Sequence, residues 1–155
     1  MSDQPDLNGE SLPGHLIKRI DHVAIVVRSI DQALGCYRDL LGLQPSAIKT
    51  LPSEGVRIAF LPSGGPQGSE IELVEPTDPT TGVAQFLETR GEGLHHICLE
   101  TPDIDAALAY LVASGARVID TTPRQAAEGR AIFLHPKSAN GVLLELVQRA
   151  EQQSS

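Results

Sequence analysis

In the stretch Arg19-Ile-Asp-His-Val-Ala-Ile-Val-Val27, apolar residues occupy both alternations, which predicts a strand at about 19–27 buried in a sheet. The period then lengthens. Ile30, Ala33, Leu34, Tyr37, Leu40 and Leu41 share one side of a helical repeat, with Ser29 or Asp31 as its cap and Gly42 as its stop. Strand-like runs follow at about 44–50, 55–62 and 69–75, the last two separated by the Gly- and Pro-dense turn Pro62-Ser-Gly-Gly-Pro-Gln-Gly-Ser69. Residues 76–93 form a link that includes one amphipathic helix, with Val83, Phe86 and Leu87 on its apolar side. The order then repeats: a strand at 94–101, a helix at 103–114 capped by Asp103 and stopped by Gly115, and strands at about 116–121, 129–135 and 142–148.

The repeat extends to individual residues. His22 recurs as His96, and Ile30, Asp31, Ala33 and Leu34 recur as Ile104, Asp105, Ala107 and Leu108 at the same offset. Arg57, Phe60 and Leu61 return as Arg130, Phe133 and Leu134, and Glu72-Leu73-Val74 returns as Glu145-Leu146-Val147. This is an internal duplication. A four-stranded sheet with one helix cannot cover both its faces, so the expected fold is α+β: two tandem βαβββ modules whose curved mixed sheets enclose a central cleft. The expected domain is 16–150, with modules at about 16–90 and 91–150. A disordered leader at 1–15, containing a solvated His15, and a polar tail at 151–155 that frays from Arg149 flank it.

Charge and cysteine content narrow the function. A net charge of −8 argues against nucleic acid or an anionic membrane as the main partner, though a local basic patch can still bind a small phosphate-bearing ligand. Cys36 and Cys98 have neither metal-ligand nor redox spacing and read as small buried apolar residues in a reducing compartment. The acidic N-terminus has no signal- or transit-peptide pattern, and no apolar run approaches the roughly 20 residues a membrane helix needs. A cytoplasmic protein is expected.

Strand alternation sorts the candidate chemistry. His22 shares a side with Ile20, Ala24 and Val26, and His96 with Leu94 and Cys98. Glu72 and Glu145 are set among apolar neighbours, where an ionised carboxylate needs compensation. A lone strand histidine is commonly a hydrogen-bonded core residue, and a lone glutamate commonly faces solvent. Recurrence of both types at equivalent positions instead favours a shared divalent-cation site of His22, Glu72, His96 and Glu145. His95 is expected on the opposite face, in a structural or supporting role. Four ligands on an octahedral ion leave two positions at which a substrate with oxygens in 1,2 or 1,3 relation can chelate, so that an adjacent proton leaves to give a stabilised enolate. This donor set accepts Co²⁺, Mn²⁺, Zn²⁺, Ni²⁺ or Mg²⁺.

The paired modules with His22, Glu72, His96 and Glu145 resemble the vicinal oxygen chelate superfamily, which includes glyoxalase I. Within it, Ile20-Asp-His-Val-Ala24, Ile71-Glu-Leu-Val-Glu-Pro76, Gly91-Glu-Gly-Leu-His-His96 and Phe133-Leu-His-Pro-Lys-Ser138 followed by Gly141-Val-Leu-Leu-Glu-Leu146 are most similar to the methylmalonyl-CoA epimerases, over about residues 17–148. The resemblance implies epimerisation at C2 of methylmalonyl-CoA or a near homologue such as ethylmalonyl-CoA, with the thioester carbonyl and the substrate carboxylate chelated at the metal. It also implies cobalt or manganese, an acyl-CoA substrate and a homodimer. Glu145 is then one acid/base. The partner acid, placed in the family on the strand equivalent to 55–62, has no counterpart inside that strand, which leaves Glu54, Glu72 or a bound water. A second departure is Arg124-Gln-Ala-Ala-Glu-Gly129, where relatives carry a more glycine-rich loop that borders the ligand. Lys137 and Arg130 are candidates for the CoA phosphates, against a solvated lysine and a structural strand arginine. His135 is a candidate substrate contact or a structural residue. The competing readings are a glyoxalase-type lyase or isomerase acting on a glutathione hemithioacetal, and a non-enzymatic binding protein of the same architecture.

Overall fold

A computed structural model describes residues 16–150. Its contacts divide them into two compact units, one of residues 21–96 and one in which 16–20 joins 97–150. The leader, including His15, and the tail from 151 lie outside the described residues.

The 21–96 unit holds β1 (Arg19–Val26, entering at Asp21), α1 (Ile30–Leu34), β2 (Ala47–Leu51), β3 (Val56–Ser63), β4 (Ser69–Pro76) and α2 (Gly82–Arg90). Its strands lie in the order β2-β3-β4-β1; the β1–β4 pair is parallel and the others antiparallel. Ser29 caps α1 through its hydroxyl, which accepts from the Gln32 N–H. Ile30 and Leu34 then pack on Ala59, Leu61 and Leu73 of the sheet. Each such large aliphatic side chain, fully buried, contributes about 1.5–3 kcal/mol. The other face of the same strands carries Ala24, Val56, Ile58, Phe60 and Val74. Glu72, two residues from Val74, and His22, two from Ala24, share that second face, away from α1.

The other unit contains β5 (Gly93–Glu100, from Ile97 onward), α3 (Ile104–Ala113), β6 (Arg124–Gln125), β7 (Gly129–Leu134) and β8 (Leu144–Arg149), ordered β5-β8-β7-β6. Asp103 caps α3. Ile104 and Ala107 pack on Ile132 and Leu146, while Cys98, Ala131 and Val147 line the opposite face, which Glu145 and Phe133 share. The duplication is legible in the pairing itself. Glu72 stands opposite Ala24 and Phe60, and Glu145 stands opposite Cys98 and Phe133, the equivalent residues.

Four local expectations are corrected. The first helix changes after Leu34 into a π-helical segment, Gly35–Leu40. Its wider i→i+5 bonding, as from Leu41 N–H to the Cys36 carbonyl, turns the apolar stripe outward, so that Leu40 is 81% and Leu41 63% exposed. Cys36, in the same segment, is exposed rather than buried, whereas Cys98 is buried as expected. The strand expected at 116–121 reduces to a single bridge, Val118 to Leu134, because the Asp120 carboxylate takes the Phe133 N–H at 2.6 Å in place of a backbone carbonyl. Arg149 is paired in β8, opposite Gly129, instead of fraying. Among the described residues no helix is long and apolar enough to cross a membrane.

Candidate metal centre and acid–base residues

In the 21–96 unit, the parallel register of β1 and β4 brings His22 and Glu72 together on one face. The His22 Nε2 lies 2.6 Å from Glu72 Oε2 and 3.4 Å from His96 Nε2. On its other side the ring meets Asp21, whose Oδ1 is 2.8 Å from His22 Nδ1. Asp21 is 0% exposed, and an ionised carboxylate can only accept, so this contact places a proton on Nδ1. In the neutral imidazole, Nε2 then presents a lone pair toward Glu72 and His96. A lone pair 2.6 Å from a carboxylate oxygen is repulsive unless a proton or a cation sits between them.

Glu72 repeats the demand. It is 3% exposed, and its second oxygen, Oε1, is buried with no hydrogen-bond partner. A buried acceptor left unsatisfied costs about 1–3 kcal/mol, and more when charged. Two imidazole nitrogens and a carboxylate with an unused oxygen make a set that suits a divalent cation with mixed nitrogen and oxygen ligands, and His22 takes part in groups able to hold a metal ion.

His95 is closer to the cluster than strand alternation implies. Its Nδ1 is 2.8 Å from His96 Nδ1, and its ring stands edge-to-face on Phe86 of α2 with centroids 5.0 Å apart. A hydrogen bond between the two Nδ1 atoms leaves the Nε2 of His96 for the cluster.

Glu145 belongs to the other unit. It is buried on β8 beside Phe133, and its Oε2 accepts from Arg124 Nη2 at 2.7 Å. The Arg124 guanidinium lies over the Phe133 ring, 4.3 Å from its centroid, and its Nε is 3.8 Å from Asp120 Oδ1.

The remaining candidates are spread over the surface. Glu54 is exposed in the turn between β2 and β3. Lys137 is exposed in a short 3₁₀ turn, where its N–H donates to His135 Nδ1 at 3.0 Å. Arg130 makes two hydrogen bonds to Asp105 of α3, at 2.8 and 3.0 Å, on the helix-covered face of β7 and opposite the side that bears Glu145. That pairing holds the Asp105 carboxyl below its usual range. Two participants escaped the sequence reading: Asp21, which alternation assigns to the face opposite His22, and Arg124, which stood only as part of an unusual loop.

Similarity to known proteins extends over nearly the whole of the described chain. Residues 21–134 match the Glyoxalase/Bleomycin resistance protein/Dioxygenase superfamily. The ethylmalonyl-CoA/methylmalonyl-CoA epimerase of Cereibacter sphaeroides is 40% identical over 86% of this chain and 99% of its own length. The mitochondrial methylmalonyl-CoA epimerase of Mus musculus is 36% identical over 90% of this chain and 78% of its own. A solved structure of a Streptomyces coelicolor methylmalonyl-CoA epimerase variant in complex with 2-nitronate-propionyl-CoA superposes with a TM-score of 0.82 at 37% identity, covering 87% of this chain and 99% of that one. With the duplicated βαβββ pattern and the buried His–Glu cluster, these likenesses lead to one conclusion: the chain belongs to the Glyoxalase/Bleomycin resistance protein/Dioxygenase superfamily, in its methylmalonyl-CoA epimerase family.

Proposed function

We propose that this chain is a metal-dependent epimerase that interconverts the C2 epimers of methylmalonyl-CoA. The reading is supported by relatives of that name at full-domain coverage and by the orphaned Glu72 Oε1 beside His22 and His96. Residues 16–150 act as one domain in which Glu145 joins His22, Glu72 and His96 as the fourth ligand. When bound there, a divalent cation supplies Lewis-acid stabilisation of the negative charge that develops on the thioester oxygen as the α-proton leaves. Cobalt or manganese is the expected ion.

The protein's own groups move the proton. Glu145 takes it from C2, the C–H electron pair enters the carbonyl system as an enolate, and a second acid returns a proton to the opposite face. Glu54 is one candidate for that acid, with Glu72 or a bound water as alternatives; each placed group is worth about 10²- to 10⁴-fold. Lys137 and His135 lie within one exposed turn suited to the CoA phosphates, while Arg130 would have to leave Asp105 to take part. The Cereibacter relative's name extends the expected substrates to ethylmalonyl-CoA. A cytoplasmic homodimer completes the reading.

The test is α-proton exchange. Metal-loaded protein is incubated with methylmalonyl-CoA in deuterated water and α-deuteration is followed by mass; His96→Ala should lower metal content and exchange together. Absence of metal-dependent exchange, or full activity in a metal-free His96→Ala protein, overturns the proposal. Turnover of a glutathione hemithioacetal in its place would establish a lyase.

A further inference from the structure

We infer that Arg117, with His135, Lys137 and Ser138 beside it, seats a phosphate group of the substrate's CoA tail. The inference rests on the reading of the substrate as an acyl-CoA whose reacting carbon lies at Glu145. Val118 bridges Leu134 and packs on the α3 side of the sheet, so alternation turns Arg117 and Ile119 to the face that carries Phe133 and Glu145. Arg117 stands opposite His135, whose N–H donates to the Arg117 carbonyl at 2.8 Å. Strand spacing across β7 and β8, with the rise along them, puts that position about 12 Å from Glu145. The pantetheine arm separates the thioester of CoA from its phosphates. A phosphate seat therefore belongs at such a remove, and not beside the group that takes the α-proton.

The donors at this place have no acid to satisfy them. Arg124 and Arg130 are matched by carboxylates, whereas among the described residues none pairs with the Arg117 guanidinium or the Lys137 ammonium. In a chain of net charge −8, two exposed cations left unpaired on adjoining segments are set toward an anion from solution. His135 Nδ1 accepts from the Lys137 N–H at 3.0 Å, so the neutral ring carries its proton on Nε2 and offers a donor there. Ser138 Oγ accepts from the Arg117 N–H at 2.9 Å, which leaves its own hydroxyl proton to give. The planar guanidinium can hold two oxygens of one phosphate through charge-assisted bonds. Ile119, 53% exposed on the same face and opposite Phe133, gives the tail an apolar surface between Glu145 and Arg117.

Backbone holds these side chains together. The Arg117 carbonyl and N–H are both tied to the His135–Ser138 turn, through the His135 N–H and the Ser138 hydroxyl. The turn closes on itself by the Ser138 N–H to the His135 carbonyl at 2.9 Å and the Gly141 N–H to the Pro136 carbonyl at 2.8 Å. Pro136, first in the 3₁₀ turn, fixes its own φ. A seat already assembled in this way pays little ordering cost when the anion arrives.

The experiment measures, by calorimetry on Co²⁺-loaded protein, the binding of methylmalonyl-CoA, its 3′-dephospho form and methylmalonyl-pantetheine, which has no phosphate. Wild type is compared with Arg117→Gln and Arg117→Lys. Arg117→Gln should weaken methylmalonyl-CoA about tenfold to hundredfold, the loss expected of a hydrogen bond to a charged group, and leave the pantetheine thioester within about twofold. Arg117→Lys keeps the charge but loses the fork, and should fall between. The dephospho form identifies the group held: a seat for the 3′-phosphate makes wild type and Arg117→Gln bind it alike, and a seat for the diphosphate preserves their difference. An undiminished affinity of Arg117→Gln for methylmalonyl-CoA, or an equal loss for the pantetheine thioester, overturns the inference. Should Arg117→Gln fail to fold, the ratio of the two affinities in Arg117→Lys decides. Wild-type α-deuteration keeps the layers apart: exchange without a selective loss in the variants removes the seat alone, and no exchange with any of the thioesters removes the epimerase reading itself.

Discussion

Replacing Glu72 by Gln should make the metal-free protein more stable and the metal-loaded protein less so. The change preserves volume, so no cavity opens in a side chain that is 3% exposed. What changes is charge. Glu72 holds two carboxylate oxygens inside the sheet, with Oε2 2.6 Å from His22 Nε2 and Oε1 unsatisfied. Removing the charge relieves the desolvation of that orphan, about 1–3 kcal/mol, and an amide can still form one hydrogen bond to His22. Because Asp21 holds His22 in its neutral form, removing the Glu72 charge leaves no buried cation unpaired. At this chain length each kcal/mol is worth about 2–4 °C in Tm. With Co²⁺ at a hundredfold excess over Kd, wild type gains about 2.7 kcal/mol and the variant, lacking an anionic ligand, should gain much less. Urea denaturation of chelator-treated and Co²⁺-loaded samples measures both arms. A Glu72→Gln protein that is less stable than wild type without metal, or that gains as much from Co²⁺, refutes the assignment of Glu72 as a ligand held at a cost to the fold.

Asp21→Asn should lower metal affinity about tenfold to hundredfold, the usual effect of losing a partner that orients a ligand. ¹⁵N NMR of the His22 ring in metal-free protein should at the same time lose its single Nδ1–H tautomer; an unaltered tautomer with unaltered affinity contradicts the role. Asp78 accepts from both the Thr80 N–H and hydroxyl, which hold its carboxyl below the ordinary range. The stability this confers on the turn before α2 is therefore present above the unfolded-state pKa of about 3.9 and lost as pH falls through the lower folded value. Thr80→Ala should raise the Asp78 midpoint seen by carboxyl NMR, and a midpoint that stays put would break the link. Gly129→Ala should destabilise the chain by several degrees in Tm, since its methyl would collide with backbone at Gln148; a Tm within about a degree of wild type would show that β8 yields easily.

Much of the fold could be read from the sequence because its strongest signal was comparative: one half predicted the other. Equal spacing in the two copies foreshadowed that the Glu72–Ala24 and Glu145–Cys98 registers would be equivalent, while the face each glutamate takes, away from its helix, is seen only in the folded chain. What alternation could not reveal was that the residue on the opposite face would turn back to meet the His22 ring. Asp21 and His22 are neighbours on the strand and both are covered, so the carboxylate that fixes the ring was hidden next to the histidine it orients. The π-helical turn was invisible for a similar reason, since a 3.6-residue repeat fits Leu40 and Leu41 on paper. The run at 116–121 failed as a strand through Asp120, whose side chain competes with the backbone for the Phe133 amide. Arg124 shows a different limit: a loop's composition says that it is unusual, and only the folded chain says which residue it delivers to Glu145.

The matched registers have an evolutionary corollary. A tandem gene begins with twins, yet here the Glu72 carboxylate leans on an imidazole while its twin leans on a guanidinium. One strand-pairing scheme has thus given its two glutamates unlike partners. Stereochemical inversion asks for that kind of inequality, because the two faces of a flattened carbon must be served by different hands.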